Sequence, residues 1–202
     1  MKVPYFSQWE SAKLAAQFIS RELPLAADPL WRESGAATVE EYAEWANHIC
    51  GMACLKMILA ARTGATYSTL ALTRMAIEFG AYFIREDRSI HGMIYAPVVK
   101  LLEERFGIDA EVVTGITAND IGNIVQPGAL FIASVHPAIR WLEGPPPKKG
   151  GHLVLVTEAT PIALTFHNPS GHTEETQRDA VATAGQFDEF FAGRGVLVHP
   201  QK

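Results

Sequence analysis

Predicted helices and predicted strands occupy separate halves of this chain. In the first half, apolar residues recur at helical spacing. The stretches with this spacing are SQWESAKLAAQFISREL, TVEEYAEWANH, ICGMACLKMILAART, STLALTRMAIEFG and MIYAPVVKLLEERFG. In the second half, short β-branched or alternating runs bounded by Gly and Pro predict strands, namely DAEVVTG, GALFIASV, GHLVLVTEA, IALTFHN and GVLVHP. Segregation of this kind predicts an α+β fold, in which helices pack against an antiparallel sheet.

The chain length suits a single domain. A chain of 202 residues can bury one well-formed core, and the sequence contains no repeat and no low-complexity linker. We therefore expect one domain over residues 1–202, with a helical part at about 8–107 and a sheet part at about 108–199. Thr38 and Glu41 have the spacing of a capping box, and Thr117 precedes a short predicted helix inside the sheet part.

Charge and hydropathy exclude several classes of protein. The net charge is −5 and there is no basic run, which disfavours nucleic acid as a partner. No apolar run approaches the ~20 residues that span a bilayer, so no membrane association is expected. The first residues, MKVPYFSQWE, lack the apolar region of a secretory signal. Together with a cysteine content of two, this predicts a cytoplasmic protein with free thiols.

Both cysteines, Cys50 and Cys54, lie in the stretch NHICGMACLKMILAA. A disulfide between them is disfavoured, because side chains four residues apart on a helix run parallel and do not meet disulfide geometry. A structural zinc site is disfavoured as well, since it needs four Cys or His ligands in paired spacings. We therefore expect neither a metal nor another cofactor.

The two cysteines differ in their expected position on the helix. Cys50 precedes Gly51 and the apolar run, which places it at or near the first helical turn, where the helix dipole favours a reactive thiolate. Cys54 lies one turn inside, where we expect a buried thiol with a raised pKa. For Cys50, the sequence alone leaves a nucleophile and a small buried core residue equally open.

A predicted hairpin supplies possible partners for Cys50. His152 begins one predicted strand, Asn168 ends the next, and a short connection at Thr160–Pro161 makes the two strands antiparallel neighbours. His152 and Asn168 then lie at the same end of the sheet. A cysteine, a histidine and an asparagine can act as nucleophile, base and orienting group. Taken singly, each residue is better explained structurally, His152 as a plain strand residue and Asn168 as part of an Asn-Pro turn.

Four stretches together resemble a known family. In order along the chain they are VPYFSQ, CGMACLKMIL, GGHLVLV and FHNPSG. This order is similar to that of the bacteriocin-processing (double-glycine leader) peptidases and their stand-alone relatives, in the papain-like cysteine peptidase superfamily. The resemblance extends from Val3 to about Val198. It implies a papain-like fold, with the helix of the nucleophile packed on the C-terminal antiparallel sheet.

The resemblance also implies roles for four residues. Cys50 would be the nucleophile, His152 the general base and acid, and Asn168 the residue that orients the histidine. Gln8 would donate its side-chain N–H to the oxyanion. The family usually has Asp at the position of Asn168, and a polar or acidic residue where this chain has Ile49.

The spacing of Gln8 also departs from the family. Gln8 lies 42 residues before Cys50, whereas the processing peptidases keep the two close. Asn47 or His48, next to the nucleophile, are alternative oxyanion donors, and Gln8 could instead be a solvated polar residue.

The expected function is that of a cysteine peptidase or amidase, which cleaves a peptide or amide substrate through an acyl-enzyme. Two other functions are compatible with the same sequence. An acyltransferase with an amine acceptor would share every residue of the site, and a non-catalytic papain-like module would bind a peptide or a protein. The Pro- and Gly-rich loop Trp141–Gly151 leads into His152, and either gates the cleft or is a plain surface connection.

Overall fold

The order of helices and strands follows the predicted segregation. The computed structural model of the protein describes residues 2–201, so Met1 and Lys202 of the predicted domain lie outside the described residues. The first half holds helices α1 (Ala15–Ser20), α2 (Val39–Trp45), α3 (Cys50–Thr63), α4 (Thr69–Glu78) and α5 (Tyr95–Phe106). The second half holds, in chain order, β1 (Ala110–Thr114), α6 (Ala118–Ile124), β2 (Leu130–Val135), β3 (His152–Ala159), β4 (Ala163–His167), α7 (Glu174–Gln177), β5 (Ala180–Thr183), α8 (Ala184–Phe190) and β6 (Phe191–Val198).

Helix ends confirm the local signals of the sequence. At the start of α2, the Thr38 side chain accepts a hydrogen bond from the Glu41 N–H, but the Glu41 carboxylate accepts from the Ala37 N–H and leaves the predicted capping box half formed. Thr117 forms a full capping box with Asp120 at the start of α6. Helix α3 ends at Gly64, whose φ of 73° is the left-handed conformation that glycine adopts without strain.

Two parts of the chain differ from the prediction. The long amphipathic helix expected near the N-terminus is only a short 3-10 turn, Ala12–Leu14, followed by the six residues of α1. It stops because Arg21 takes a left-handed conformation with φ 64°. Strand β5 and helix α7 were not predicted, since each has four residues and too short a pattern to recognise.

The sheet has six strands in the order β1-β6-β2-β3-β4-β5, and every pairing of neighbours is antiparallel. Strands β3 and β4 form the predicted hairpin, with Leu155 opposite His167 and Ala159 opposite Leu164. The start of β3 and the end of β4 therefore share one end of the sheet.

Alternation along the strands divides the core into two layers. On β2, Leu130 and Ile132 pack with α3, α4 and α5, whereas Phe131 and Ala133 pack with α6 and α8. Helix α3 lies against β3 and β2 and buries most of its residues between them and the other helices. The predicted packing of the nucleophile helix on the antiparallel sheet is thus confirmed, and α6 and α8 cover the opposite face.

The segment 9–46 folds as a separate excursion between Gln8 and α3. It has a small apolar cluster of its own, built around Trp9, Phe18 and Tyr42. The buried carboxylate of Asp28 accepts hydrogen bonds from Ser11 Oγ at 2.6 Å, from the Leu30 N–H at 2.9 Å and from the Tyr42 hydroxyl. These bonds close the excursion on itself. None of the helices in residues 2–201 is both long and apolar enough to cross a bilayer.

Candidate active site

Cys50 is the first residue of α3, and its half-buried side chain lines a pocket of about 350 Å³. The N–H groups in the first turn of a helix have no partners inside the helix and are free to bind groups beyond its N-terminus. Cys54 lies one turn further along and is fully buried among apolar side chains. As predicted, the two thiols have different environments, and of the two only Cys50 lines the pocket.

His152, the first residue of β3, lines the same pocket and is bonded to Asn168. Its Nε2 lies 2.8 Å from Asn168 Oδ1, and both residues are buried. The backbone of Asn168 is fixed as well, because its N–H donates to the Gln177 carbonyl at 2.8 Å and its carbonyl accepts from the Tyr5 hydroxyl at 3.1 Å. The hairpin thus brings these two predicted site residues together.

The Ser170 backbone settles which way the Asn168 amide points. The Ser170 N–H, which can only donate, lies 3.1 Å from the same Asn168 Oδ1 that faces His152. Since this atom accepts from Ser170, it is the oxygen, and His152 Nε2 must carry the proton that it donates. A neutral His152 then has its lone pair at Nδ1. That nitrogen has no hydrogen-bond partner in the described part of the chain and is available to take a proton.

Arg140 and Ser170 complete the support of the imidazole, and the sequence did not predict either. Ser170 Oγ lies 3.0 Å from His152 Nε2. Arg140, at the end of a 3-10 turn after β2, donates Nη2 to Ser170 Oγ at 2.7 Å and Nε to the Ser170 carbonyl at 2.7 Å. Ser170 could have been suspected from the FHNPSG stretch. Arg140 carries no such signal, because it lies 30 residues away in sequence.

Burial keeps the pair of Cys50 and His152 neutral at rest. It raises the pKa of the Cys50 thiol, against the opposing effect of the Leu153 and Gly51 backbone N–H groups and of the Arg140 cation. Burial and then Arg140 lower the pKa of His152 to about 3. This direction is opposite to the thiolate expected from the helix N-terminus, because the sequence does not show how far the pocket walls desolvate the sulfur. For Cys54, burial raises the pKa further, as predicted.

These shifts predict the pH dependence of thiol alkylation. A raised thiol pKa means that the thiolate fraction of Cys50 increases throughout the range from about pH 6 to about pH 9, so the rate with iodoacetamide should climb about tenfold per pH unit. Cys54 should react only after unfolding. Mass spectrometry of the labelled peptides measures both rates, with Cys54→Ala as the control that leaves Cys50 as the single thiol. A rate that is flat from about pH 5 to about pH 8 would contradict the neutral pair and indicate a preformed ion pair.

Gln8 is hydrogen-bonded to two segments that adjoin the predicted site in the chain, although it does not line the pocket of Cys50. Its backbone N–H donates to the Pro169 carbonyl at 2.9 Å, and its side-chain Nε2 donates to the Ala46 carbonyl at 3.1 Å. Ala46 precedes Cys50 by four residues, and Pro169 follows Asn168. Because the segment 9–46 folds out as an excursion, Gln8 bonds to Ala46 across the long gap in sequence. Gln8 is buried and is not the solvated residue that the alternative interpretation required. Its role as oxyanion donor stays a prediction.

Asn47, the alternative donor, is exposed and lines the pocket itself. Its Oδ1 accepts a hydrogen bond from Trp9 Nε1 at 3.0 Å. This bond fixes the amide by its oxygen and leaves the side-chain N–H groups for other partners. His48 is also exposed and lines the pocket.

The loop Trp141–Gly151 reaches the pocket only through its last residue, Gly151. Trp141 is 44% exposed, with its ring 5.8 Å from that of His172. A gating role for this loop stays a prediction. Within residues 2–201, no group of three or more His, Cys, Asp or Glu side chains is placed to hold a metal ion.

The antiparallel sheet, with a cysteine-bearing helix packed across it, is the papain-like fold of the C39 peptidase domains. Two solved structures carry this comparison. One is the peptidase domain of Streptococcus ComA, a bi-functional ABC transporter involved in a quorum-sensing pathway. It is 17% identical, with a TM-score of 0.50 over 77% of this chain and 93% of that domain. The other is described as a C39-like peptidase from Bacillus anthracis, 13% identical, with a TM-score of 0.53 over 77% of this chain and 90% of that one.

These likenesses confirm the predicted papain-like fold and its similarity to processing peptidase domains. They concern the fold, whereas the roles of Cys50, His152, Asn168 and Gln8 remain to be argued from the site. No model of a protein family matches the sequence, and no curated protein matches it.

Proposed function

We propose that this protein is a cysteine peptidase or amidase, which cleaves a peptide or amide bond through an acyl-enzyme on Cys50. One observation carries the proposal: His152 is held through Nε2 by Asn168 Oδ1 at 2.8 Å, in the pocket that Cys50 also lines. A buried histidine with one nitrogen fixed and the other free is arranged as a base. The fold shared with peptidase domains supports the same function.

The chemistry begins from the neutral pair. His152 Nδ1 takes the thiol proton as the Cys50 sulfur attacks the carbonyl carbon, so a C–S bond forms and negative charge moves to the carbonyl oxygen. The imidazolium then gives its proton to the leaving nitrogen as the C–N bond breaks, which leaves a thioester. Water attacks the thioester, His152 accepts the proton of this water, and the thiol leaves with that proton.

The developing oxyanion needs donors fixed in advance. The Cys50 backbone N–H lies in the first turn of α3, where it has no partner in the helix. We assign the second donor to the Gln8 side chain, which uses one amide hydrogen on Ala46 and has a second to offer. Asn168 and Ser170 hold the imidazole, and Arg140 holds Ser170.

We further infer that the protein works in a reducing compartment such as the cytoplasm. Both cysteines are free thiols, and the mechanism requires a reduced Cys50.

Trapping of the acyl-enzyme tests the proposal. The protein is incubated with a peptide library at mildly acidic pH, which slows hydrolysis of a thioester, and the intact mass is then measured. We expect a mass increase located on Cys50, together with new peptide termini in the library. The adduct should be absent in Cys50→Ala and present in Cys54→Ala, which removes the buried thiol but keeps the pocket.

The outcomes separate the alternatives. An adduct that is released by an added amine rather than by water would indicate an acyltransferase. A protein that binds library peptides without any adduct or cleavage would be a binding module, and the catalytic proposal would fail.

A further inference from the structure

The sheet face that packs on α3 becomes polar beside Cys50. On β2, Leu130 and Ile132 face α3, and on β6, Val196 and Val198 do the same. The next positions in these alternating series are Ser134 and Arg194, and both line the pocket of Cys50. On both β2 and β6, the face that packs on α3 thus carries a polar side chain, instead of an apolar one, where α3 begins. The core does not require this change, so a ligand is its most direct explanation.

Ser134 and Arg194 have no partners for their polar groups. Ser134 is only 2% exposed, and among residues 2–201 its hydroxyl makes no hydrogen bond. Arg194 is exposed and makes no ion pair or side-chain hydrogen bond within the same residues. A buried hydroxyl and a guanidinium without partners, both in one pocket, can bind a shared acceptor group.

The two polar groups lie close to the same loop residue, Gly150. A Cβ atom there would lie 3.3 Å from Ala192 Cβ, 3.4 Å from Ser134 Oγ and 3.5 Å from Arg194 Nη2. Gly150 has a φ of 87°, a conformation that other residues rarely adopt. Glycine therefore lets the loop take this conformation directly beside both side chains.

The charge of the pocket favours an anion. Arg194 is the one lining side chain that is always charged, and none of the lining residues is Asp or Glu. The N-terminus of α3 adds a partial positive charge. A guanidinium binds a carboxylate with two parallel hydrogen bonds, which adds geometric specificity to the charge.

We propose that Arg194 and Ser134 form a carboxylate-binding subsite next to Cys50. The substrate would carry a carboxylate near the bond that is cleaved, either on an acidic side chain or at its free C-terminus. The role of this subsite as a specificity element rests on the proposed peptidase or amidase function, but carboxylate binding itself does not depend on the thiol.

Peptide binding followed by NMR tests the subsite without the need for catalysis. Four capped probes form two matched pairs: N-acetyl-triglycine with its C-terminal amide, and N-acetyl-Gly-Glu-Gly-amide with the corresponding Gln peptide. We expect at least one acid to bind about tenfold more tightly than its neutral partner, as for a hydrogen bond between charged groups. The pair that shows the preference identifies the source of the carboxylate.

Two variants locate the effect. Arg194→Gln should abolish the preference for the acid, and Ser134→Ala should reduce it. Arg105→Gln removes an equal charge from the last turn of α5, at the opposite end of the helix from Tyr95 in the pocket, and should keep the preference. Equal binding of acid and amide in the wild type would overturn the subsite, and so would a preference that survives Arg194→Gln.

Alkylation separates this proposal from the catalytic one. Iodoacetate carries a carboxylate where iodoacetamide carries a neutral amide. The rate of Cys50 with iodoacetate, divided by its rate with iodoacetamide, should therefore fall about fivefold to tenfold in Arg194→Gln. The same ratio should stay constant in Arg105→Gln. A reactive Cys50 whose rate ratio is the same in both variants would overturn the subsite and leave the catalytic proposal intact. An unreactive Cys50 would count against catalysis, and the NMR comparison would still decide the subsite.

Discussion

Replacing His152 with alanine is expected to reduce turnover by about 10²–10⁴-fold, the contribution typical of a general acid–base group. The thiol of Cys50 is neutral at rest because burial raises its pKa. Without His152, the site loses the imidazole that would take the thiol proton and protonate the leaving amine. The measurement is kcat/KM on a peptide that the library experiment shows to be cleaved.

Alkylation shows whether the His152→Ala protein keeps its site. Deprotonation of the thiol by hydroxide needs no neighbouring base, so at high pH the iodoacetamide rate of Cys50 in His152→Ala should stay within about threefold of the wild type. His199→Ala is the matched control, because this histidine lies beyond the end of β6 and contacts Glu111 at 3.3 Å. Its turnover should be unchanged. A His152→Ala variant that retains more than about a tenth of wild-type turnover would remove the histidine from the mechanism.

The relation between His152 and Asn168 was predictable because it is local. A short connection at Thr160–Pro161 forces two consecutive strands to be antiparallel neighbours, so the first residue of one and the residue after the other must share an end of the sheet. The position of Cys50 at the start of α3 follows similarly from Gly51 and the apolar run behind it. Both inferences need only the period of a strand or a helix.

Residues that reach the site from distant elements were not predictable. Arg140 is placed by a 3-10 turn after β2, and its contact with Ser170 depends on how that turn packs on the end of β4. The same holds for the protonation of Cys50, because its pKa depends on burial and on the Leu153 N–H of a different element. Sequence periodicity contains no information about such contacts.

Gln8 lies between these two cases. The VPYFSQ stretch suggested its role through a family resemblance, while the 42-residue gap argued against it. In the structure, the excursion 9–46 closes and Gln8 bonds to Ala46 and Pro169, so the length of the gap alone does not exclude the role, which stays a prediction. Loop closure costs little even for long segments, because its free energy grows only with the logarithm of length.

Replacing Gln8 with alanine is expected to lower turnover by about 10²–10³-fold, the usual loss for one oxyanion donor. The donor acts on the oxyanion and not on the thiol, so alkylation of Cys50 should stay close to the wild-type rate and report that the site is folded. Gln8→Glu should be at least as damaging, because a carboxylate repels the developing negative charge.

Asn47→Ala is the matched comparison, since Asn47 is the competing amide in the pocket. If Gln8 is the donor, Asn47→Ala should lose less than about fivefold, mainly through the lost bond to Trp9 Nε1. If Gln8 alone stabilises the oxyanion, the turnover of the double variant Gln8→Ala/Asn47→Ala should be close to that of Gln8→Ala. Near-wild-type turnover in Gln8→Ala, together with a loss of about 10²-fold or more in Asn47→Ala, would assign the oxyanion to Asn47. In that case, the bonds of Gln8 to Ala46 and Pro169 would serve only to hold the first residues of the chain against the end of α2 and the turn after β4.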